Sequence, residues 1–159
     1  MLELPTGEKL CQTKAILRML GSMHGYYEIQ EPRQAWQIDS IVESVDDALK
    51  NFGAVLMEED HQQMLALKAK YLTVEFPKWL FVLERRLERQ QKLGAKWISS
   101  RDAPSIADFS LGGLLCSVHA NEENSNYFTY NLIISRHPNV SHYIDHFKSE
   151  MAVYLSQRI

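Results

Sequence analysis

The run Pro104-Ser105-Ile106-Ala107-Asp108-Phe109-Ser110-Leu111-Gly112-Gly113-Leu114-Leu115-Cys116-Ser117-Val118 decides the fold. Its opening, Ser105-Ile106-Ala107-Asp108, has the form of a helix capping box. In such a box the serine hydroxyl accepts from the amide three residues on, and the acid there reaches back to the serine amide. Aspartate is shorter than the commoner Glu or Gln, but its charge suits a helix N-terminus. From Ile106 to Val118 the only charged residue is Asp108, and a helix apolar all round belongs in the middle of a bundle. The weakly polar part, Phe109 to Val118, is far too short to span a bilayer, and Gly112 and Gly113 interrupt it.

Helical patterns flank this centre on both sides. Downstream, His137-Pro138-Asn139-Val140 reads as a helix start, followed by Tyr143, Ile144, Phe147, Met151, Tyr154 and Leu155 on a helical period. Upstream, one helix is expected from about Asp60 to Leu93, kinked or divided at Pro77, which removes a backbone donor and crowds the preceding turn. Leu80, Leu83 and Leu87 make its stripe, with Arg85, Arg86, Glu88 and Arg89 outside. A long helix is expected from Glu31 or Pro32 through Phe52, burying Ala35, Ile38, Ile41 or Val42, Val45 and Leu49. Its other face carries Asp39, Glu43 and Asp47, four apart, a line of three carboxylates. Thr13 reads as the N-cap of a further helix whose apolar stripe is Ala15, Ile16, Met19 and Leu20, with Gly21 and Gly25 bracketing its end. Only the first twelve residues read differently. Leu2-Glu3-Leu4 and Lys9-Leu10-Cys11 read as two strands around the turn residues Pro5-Thr6-Gly7-Glu8. Two strands alone are marginal in water, so the hairpin must lean on something.

Composition bounds the rest. The 159 residues make about one domain, long enough to bury a core unaided. A net charge of −3 carries no polycation signature, which speaks against general nucleic-acid binding. The N-terminus, MLELPTGEKL, lacks the basic start and apolar run of a secretory signal. Cys11 and Cys116 stand far apart, as suits a reducing compartment, so an intracellular, cytoplasmic protein without membrane insertion is expected.

Taken together, these segments resemble the cytosolic glutathione S-transferases. Leu2-Glu3-Leu4, Gly7 and Leu10-Cys11-Gln12-Thr13-Lys14-Ala15-Ile16-Leu17-Arg18 are similar to the strand–turn–strand–helix passage that ends the family's thioredoxin-like domain. Ala35 to Asp47 is similar to the first long helix of its C-terminal domain. Pro104-Ser105-Ile106-Ala107-Asp108-Phe109 is similar to its helix-capping signature, and His137-Pro138-Asn139-Val140 with Tyr143-Ile144 to its closing segment. The resemblance implies a mostly α fold: a transferase C-terminal-like bundle over residues 26–159, preceded by a residual β-hairpin and helix of a truncated thioredoxin-like domain over residues 1–25. The family's catalytic Tyr, Ser or Cys and its cis-proline belong to a stretch that would precede Met1, so no residue here takes a catalytic role.

What the resemblance still implies is ligand contact. The Gln-Thr pair opening the family's helix holds the γ-glutamyl end of glutathione, here Gln12 and Thr13, because free amides and the positive end of a helix favour a carboxylate. Asp47 corresponds to an acid that reaches across a dimer interface toward the γ-glutamyl amine. The plainer readings are that Thr13 caps its helix and Asp47 is one more solvated acid. His142 and His146 have metal-ligand spacing, but no other ligand is evident, so surface histidines and no metal are expected. Cys11 is expected as a packed small residue, the arginines of residues 85–89 as a solvated face, and Tyr26, Tyr27 and Trp36 as core or interface.

The expected function is therefore that of a non-catalytic, transferase-like structural or accessory subunit of a larger assembly. Its apolar N-terminal face, centred on Leu2, Leu4, Leu10, Ile16 and Met19, would be covered by a protein partner or a second copy. The alternative is a glutathione transferase whose catalytic half is missing from this chain or supplied by another. A glutathione-binding sensor without turnover is a third, and glutathione is the one cofactor any of these would use.

Overall fold

A computed structural model describes residues 1–99 and 103–157. Strands β1 (Leu2–Glu3) and β2 (Lys9–Leu10) pair antiparallel, Leu2 opposite Leu10. Gly7, at φ 84°, closes the turn between them. Helices α1 (Thr13–His24), α2 (Pro32–Leu56), α3 (His61–Lys70), α4 (Phe76–Lys92), α5 (Ile106–Leu114), α6 (Tyr127–Ile134), α7 (Pro138–Glu150) and α8 (Ala152–Gln157) follow. The described chain is a mostly helical bundle with one short hairpin at its start.

Helix α5 is the axle. The capping box forms: the Asp108 carboxylate accepts from the Ser105 amide at 2.8 Å, and the Ser105 hydroxyl accepts from the Ala107 amide at 3.3 Å. Asp108 also accepts from the Ile98 amide at 2.9 Å and the Tyr143 hydroxyl at 3.0 Å, so one acid ties the start of α5 to the preceding loop and to α7. Burial pushes its carboxyl up from the ordinary value, and the hydrogen bonds from Ile98, Ser105 and Tyr143 oppose that shift. Around it Ile38, Ile41, Leu80, Ile98, Leu111, Leu115 and Val140 are all but sealed from water.

Proline acts at Pro77 without dividing the long helix into two with a loop. A π turn, Tyr71–Glu75, joins α3 to α4, and the Phe76 amide bonds back to the Tyr71 carbonyl. The wider turn absorbs the extra residue ahead of a residue with no N–H to offer. A second π turn, Leu115–His119, ends α5. The closing helix breaks at Met151 instead of running on to Leu155. Helix α6 has no counterpart in the sequence reading, because Tyr130 and Ile134 are its only buried residues and leave little periodicity to detect.

Candidate functional site

The start of α1 is where the backbone is most unusual. Gln12 occupies the N-cap position with φ 74° and ψ 92°, and among the described residues it is the only non-glycine with positive φ. Thr13 is therefore not the cap, as expected from the sequence, but the first helical residue, and no side chain caps the helix. The chain turns so sharply out of β2 that the cap position falls one residue earlier. Both Gln12 and Thr13 are exposed, next to first-turn amides that no side chain satisfies. Strain of this kind is characteristic of ligand-holding backbone. Cys11 beside them is exposed, not packed.

Two cations fix α1 against α2. Lys14 bonds Glu43 and lies 3.2 Å from Asp46, while Arg18 lies 2.8 Å from Asp39 and 3.2 Å from Glu43. The Tyr27 hydroxyl donates to Asp39 at 3.0 Å. The acid stripe thus faces α1 and consists of Asp39, Glu43 and Asp46, at i, i+4 and i+7. At i+8, Asp47 has rotated off that line. Asp47 pairs with Lys50 at 3.6 Å and borders a different cavity, of about 310 Å³, with Ser44, Glu75, Lys78 and Trp79. The structure thus brings Gln12 and Thr13 together at the start of α1 and places Asp47 apart from them, on the α4 side of α2. Lys14, Arg18 and Asp46 hold the helix start, and none was singled out from the sequence. The basic i, i+4 pair in α1 was the signal available.

A groove of about 570 Å³ opens beside α1, bordered by Leu17, Phe109, Gly113, Phe147, Met151 and Tyr154. Leu2, Leu4 and Leu10, at the centre of the apolar face for which a cover is expected, are half-buried, as are Ile16 and Met19. The apolar opening is this groove, not the hairpin face. Tyr26 meets Phe109 edge-on at 5.0 Å at its rim.

The histidines separate into two kinds. His142 and His146 line a cavity of about 330 Å³ with Trp97, and among the described residues no group of three His, Cys, Asp or Glu could hold a metal ion. His119, fully buried, was not singled out from the sequence. Its Nε2 lies 2.7 Å from the Tyr71 hydroxyl, and Phe76 stacks on its ring at 4.3 Å. Burial lowers its pKa to about 4, so it is a neutral core residue sealed from any ligand.

With this geometry in place, comparison with known proteins decides the family. Residues 46–158 match the family described as glutathione S-transferase, C-terminal domain. The chain belongs to the glutathione S-transferase family. Among solved structures it is similar to prostaglandin synthase D of Nilaparvata lugens, at 16% identity and a TM-score of 0.79, over 99% of this chain and 72% of that one. At that identity the likeness shows the fold alone, and it extends across the hairpin and α1 as well as the helical domain. No curated protein matches the sequence. Among the described residues, no helix of this transferase-family chain is long and apolar enough to cross a membrane.

Proposed function

We propose that this transferase-family chain serves as a non-catalytic structural or accessory subunit, completed by a protein partner seated over its N-terminal end. The observation that carries this reading is the pairing of an open apolar groove of about 570 Å³ with a two-stranded hairpin whose outer edges have no neighbour among the described residues. Unpaired strand edges and contiguous apolar surface both favour a cover. The test is the mass of the complex that contains this protein in native extract, with hydrogen exchange on the recovered material. A large assembly in which the hairpin amides are protected supports the reading. A monodisperse monomer whose hairpin exchanges freely overturns it.

A second reading has its own observation, the φ of 74° at Gln12. It keeps glutathione as a ligand, with the γ-glutamyl carboxylate on the free amides of α1 beside Gln12 and Thr13, and Asp47 contributing from a second copy. As an enzyme, such a protein would need a thiol-activating residue from a thioredoxin-like half. Glutathione titrated into the chain alone, and again with Gln12→Ala and Thr13→Ala, tests retained binding. Conjugation to an electrophile above the uncatalysed rate by the chain alone would replace the accessory reading with the enzymatic one.

A further inference from the structure

The arginines of α4 do not form the self-neutralised face that their sequence neighbours suggest. Glu84 turns away to the start of α7, where its carboxylate accepts from the Asn139 side chain at 2.6 Å and from the Asn139 and Val140 amides at 3.1 and 3.0 Å. Glu88 is held by Lys92 at 2.7 Å and by Arg85 at 3.4 Å. Arg86 crosses to α2 and donates to the Gln37 carbonyl at 2.9 Å and the Ser40 hydroxyl at 3.0 Å, both neutral acceptors. Among the described residues Arg86 and Arg89 therefore have no carboxylate partner, although the Arg86 side chain is half-buried. Buried charge is ordinarily paired. Burial lowers the Arg86 pKa, and Arg89 nearby lowers it further.

These side chains border a cleft of about 260 Å³ with Trp36, Gln37, Gln90 and Arg85, the last already paired with Glu88. Trp36 leaves 66% of its surface in water at the cleft's edge, an unusual degree of exposure for an indole. We propose that this cleft binds a phosphate monoester carried on a flat aromatic ring, the phosphate between Arg86 and Arg89 and the ring against Trp36. A monoester carries close to two negative charges at neutral pH, which balances the two unmatched guanidiniums. Guanidinium forks match the geometry of phosphate oxygens, and an exposed indole is a stacking platform for any flat base or ring. The cleft shares no residue with Gln12, Thr13 or Asp47, so the site stands independently of the glutathione reading.

Calorimetric titration of the full chain with AMP, beside adenosine and inorganic phosphate, tests the site. AMP is expected to bind saturably with a Kd below about 1 mM, and about tenfold or more tighter than either fragment. Arg86 also ties α4 to α2, so the variants that carry the test are Arg89→Gln and Trp36→Ala, both at exposed positions. Each is expected to weaken AMP about tenfold with the melting temperature unchanged. Equal affinity for AMP and inorganic phosphate, or indifference to Trp36→Ala, overturns the aromatic ligand. Absence of saturation, or binding untouched by Arg89→Gln, overturns the site.

Discussion

At the scale of single residues, Gln12 holds a backbone conformation that costs stability. Its φ of 74° suits glycine, so Gln12→Gly is expected to raise stability by about 1 kcal/mol in urea denaturation. If the side chain holds the γ-glutamyl group, the same change weakens glutathione by about tenfold. Asp108 is the opposite case, because every hydrogen bond it receives supports the fold. Asp108→Asn places an amide N–H₂ against groups that donate, and is expected to cost roughly 3 kcal/mol. His119 sets a pH dependence. Its pKa falls from 6.5 in the unfolded chain to about 4 in the native protein, so the unfolded state binds more protons between those values. Stability is therefore fully present above pH 6.5 and is lost as pH falls toward 4, by about 3 kcal/mol. The double variant Tyr71→Phe/His119→Phe, which removes both members of the buried pair, is expected to flatten that part of the profile. The capping role of Asp108 was legible because a capping box spans four consecutive residues. Its bonds to Ile98 and Tyr143, and the environment of His119, were not, since they join residues far apart in the chain.

At the scale of elements, α5 shows how two adjacent glycines can have opposite meanings. A Cβ on Gly112 would stand 2.2 Å from the Phe147 ring, whereas one on Gly113 meets nothing within 4 Å. Gly112→Ala is expected to cost about 2–3 kcal/mol by overpacking α5 against α7. Gly113→Ala should gain about 0.5–1 kcal/mol from helix propensity, and thermal unfolding of the pair separates the two effects. Gly113 borders the apolar groove, so a bulkier side chain there also tests whether a partner seats in it. The long helix through Pro77 carries a parallel lesson. A kink or break was legible from the proline, but its form as a π turn was not, because it depends on where Tyr71 and Phe76 must bury. The acid line on α2 was legible, but which of its acids turn to α1 was not, since stepping by fours drifts away from a 3.6-residue turn. Asp46, not Asp47, therefore meets Lys14.

For the whole molecule, the join between α1 and the bundle is part charge and part packing. The Lys14 and Arg18 pairs are half-exposed, each worth little alone and weakened by salt. The packing part is the Ile106 amide donating to the Tyr26 carbonyl at 3.0 Å and the close approach of Gly21 to Ile106. In about 1 M salt, amides of α1 should therefore exchange faster while those of α5 and α7 hold, as hydrogen exchange would read. An equal change everywhere would mean that α1 opens only with the whole fold. The local patterns determined much of this molecule: the capping box and apolar run of α5, the proline helix starts at Pro32 and Pro138, the hairpin and the family. Each is a regularity within a few residues, where backbone geometry dictates which side chains share a face. Only the tertiary structure decided which way shared charges turn. It sent Glu84 to cap α7, left Arg86 and Arg89 without a carboxylate partner among the described residues, paired Asp47 with Lys50, and opened an apolar groove beside α5. A charge's partner is set by distance across elements, and one-dimensional order does not contain that distance.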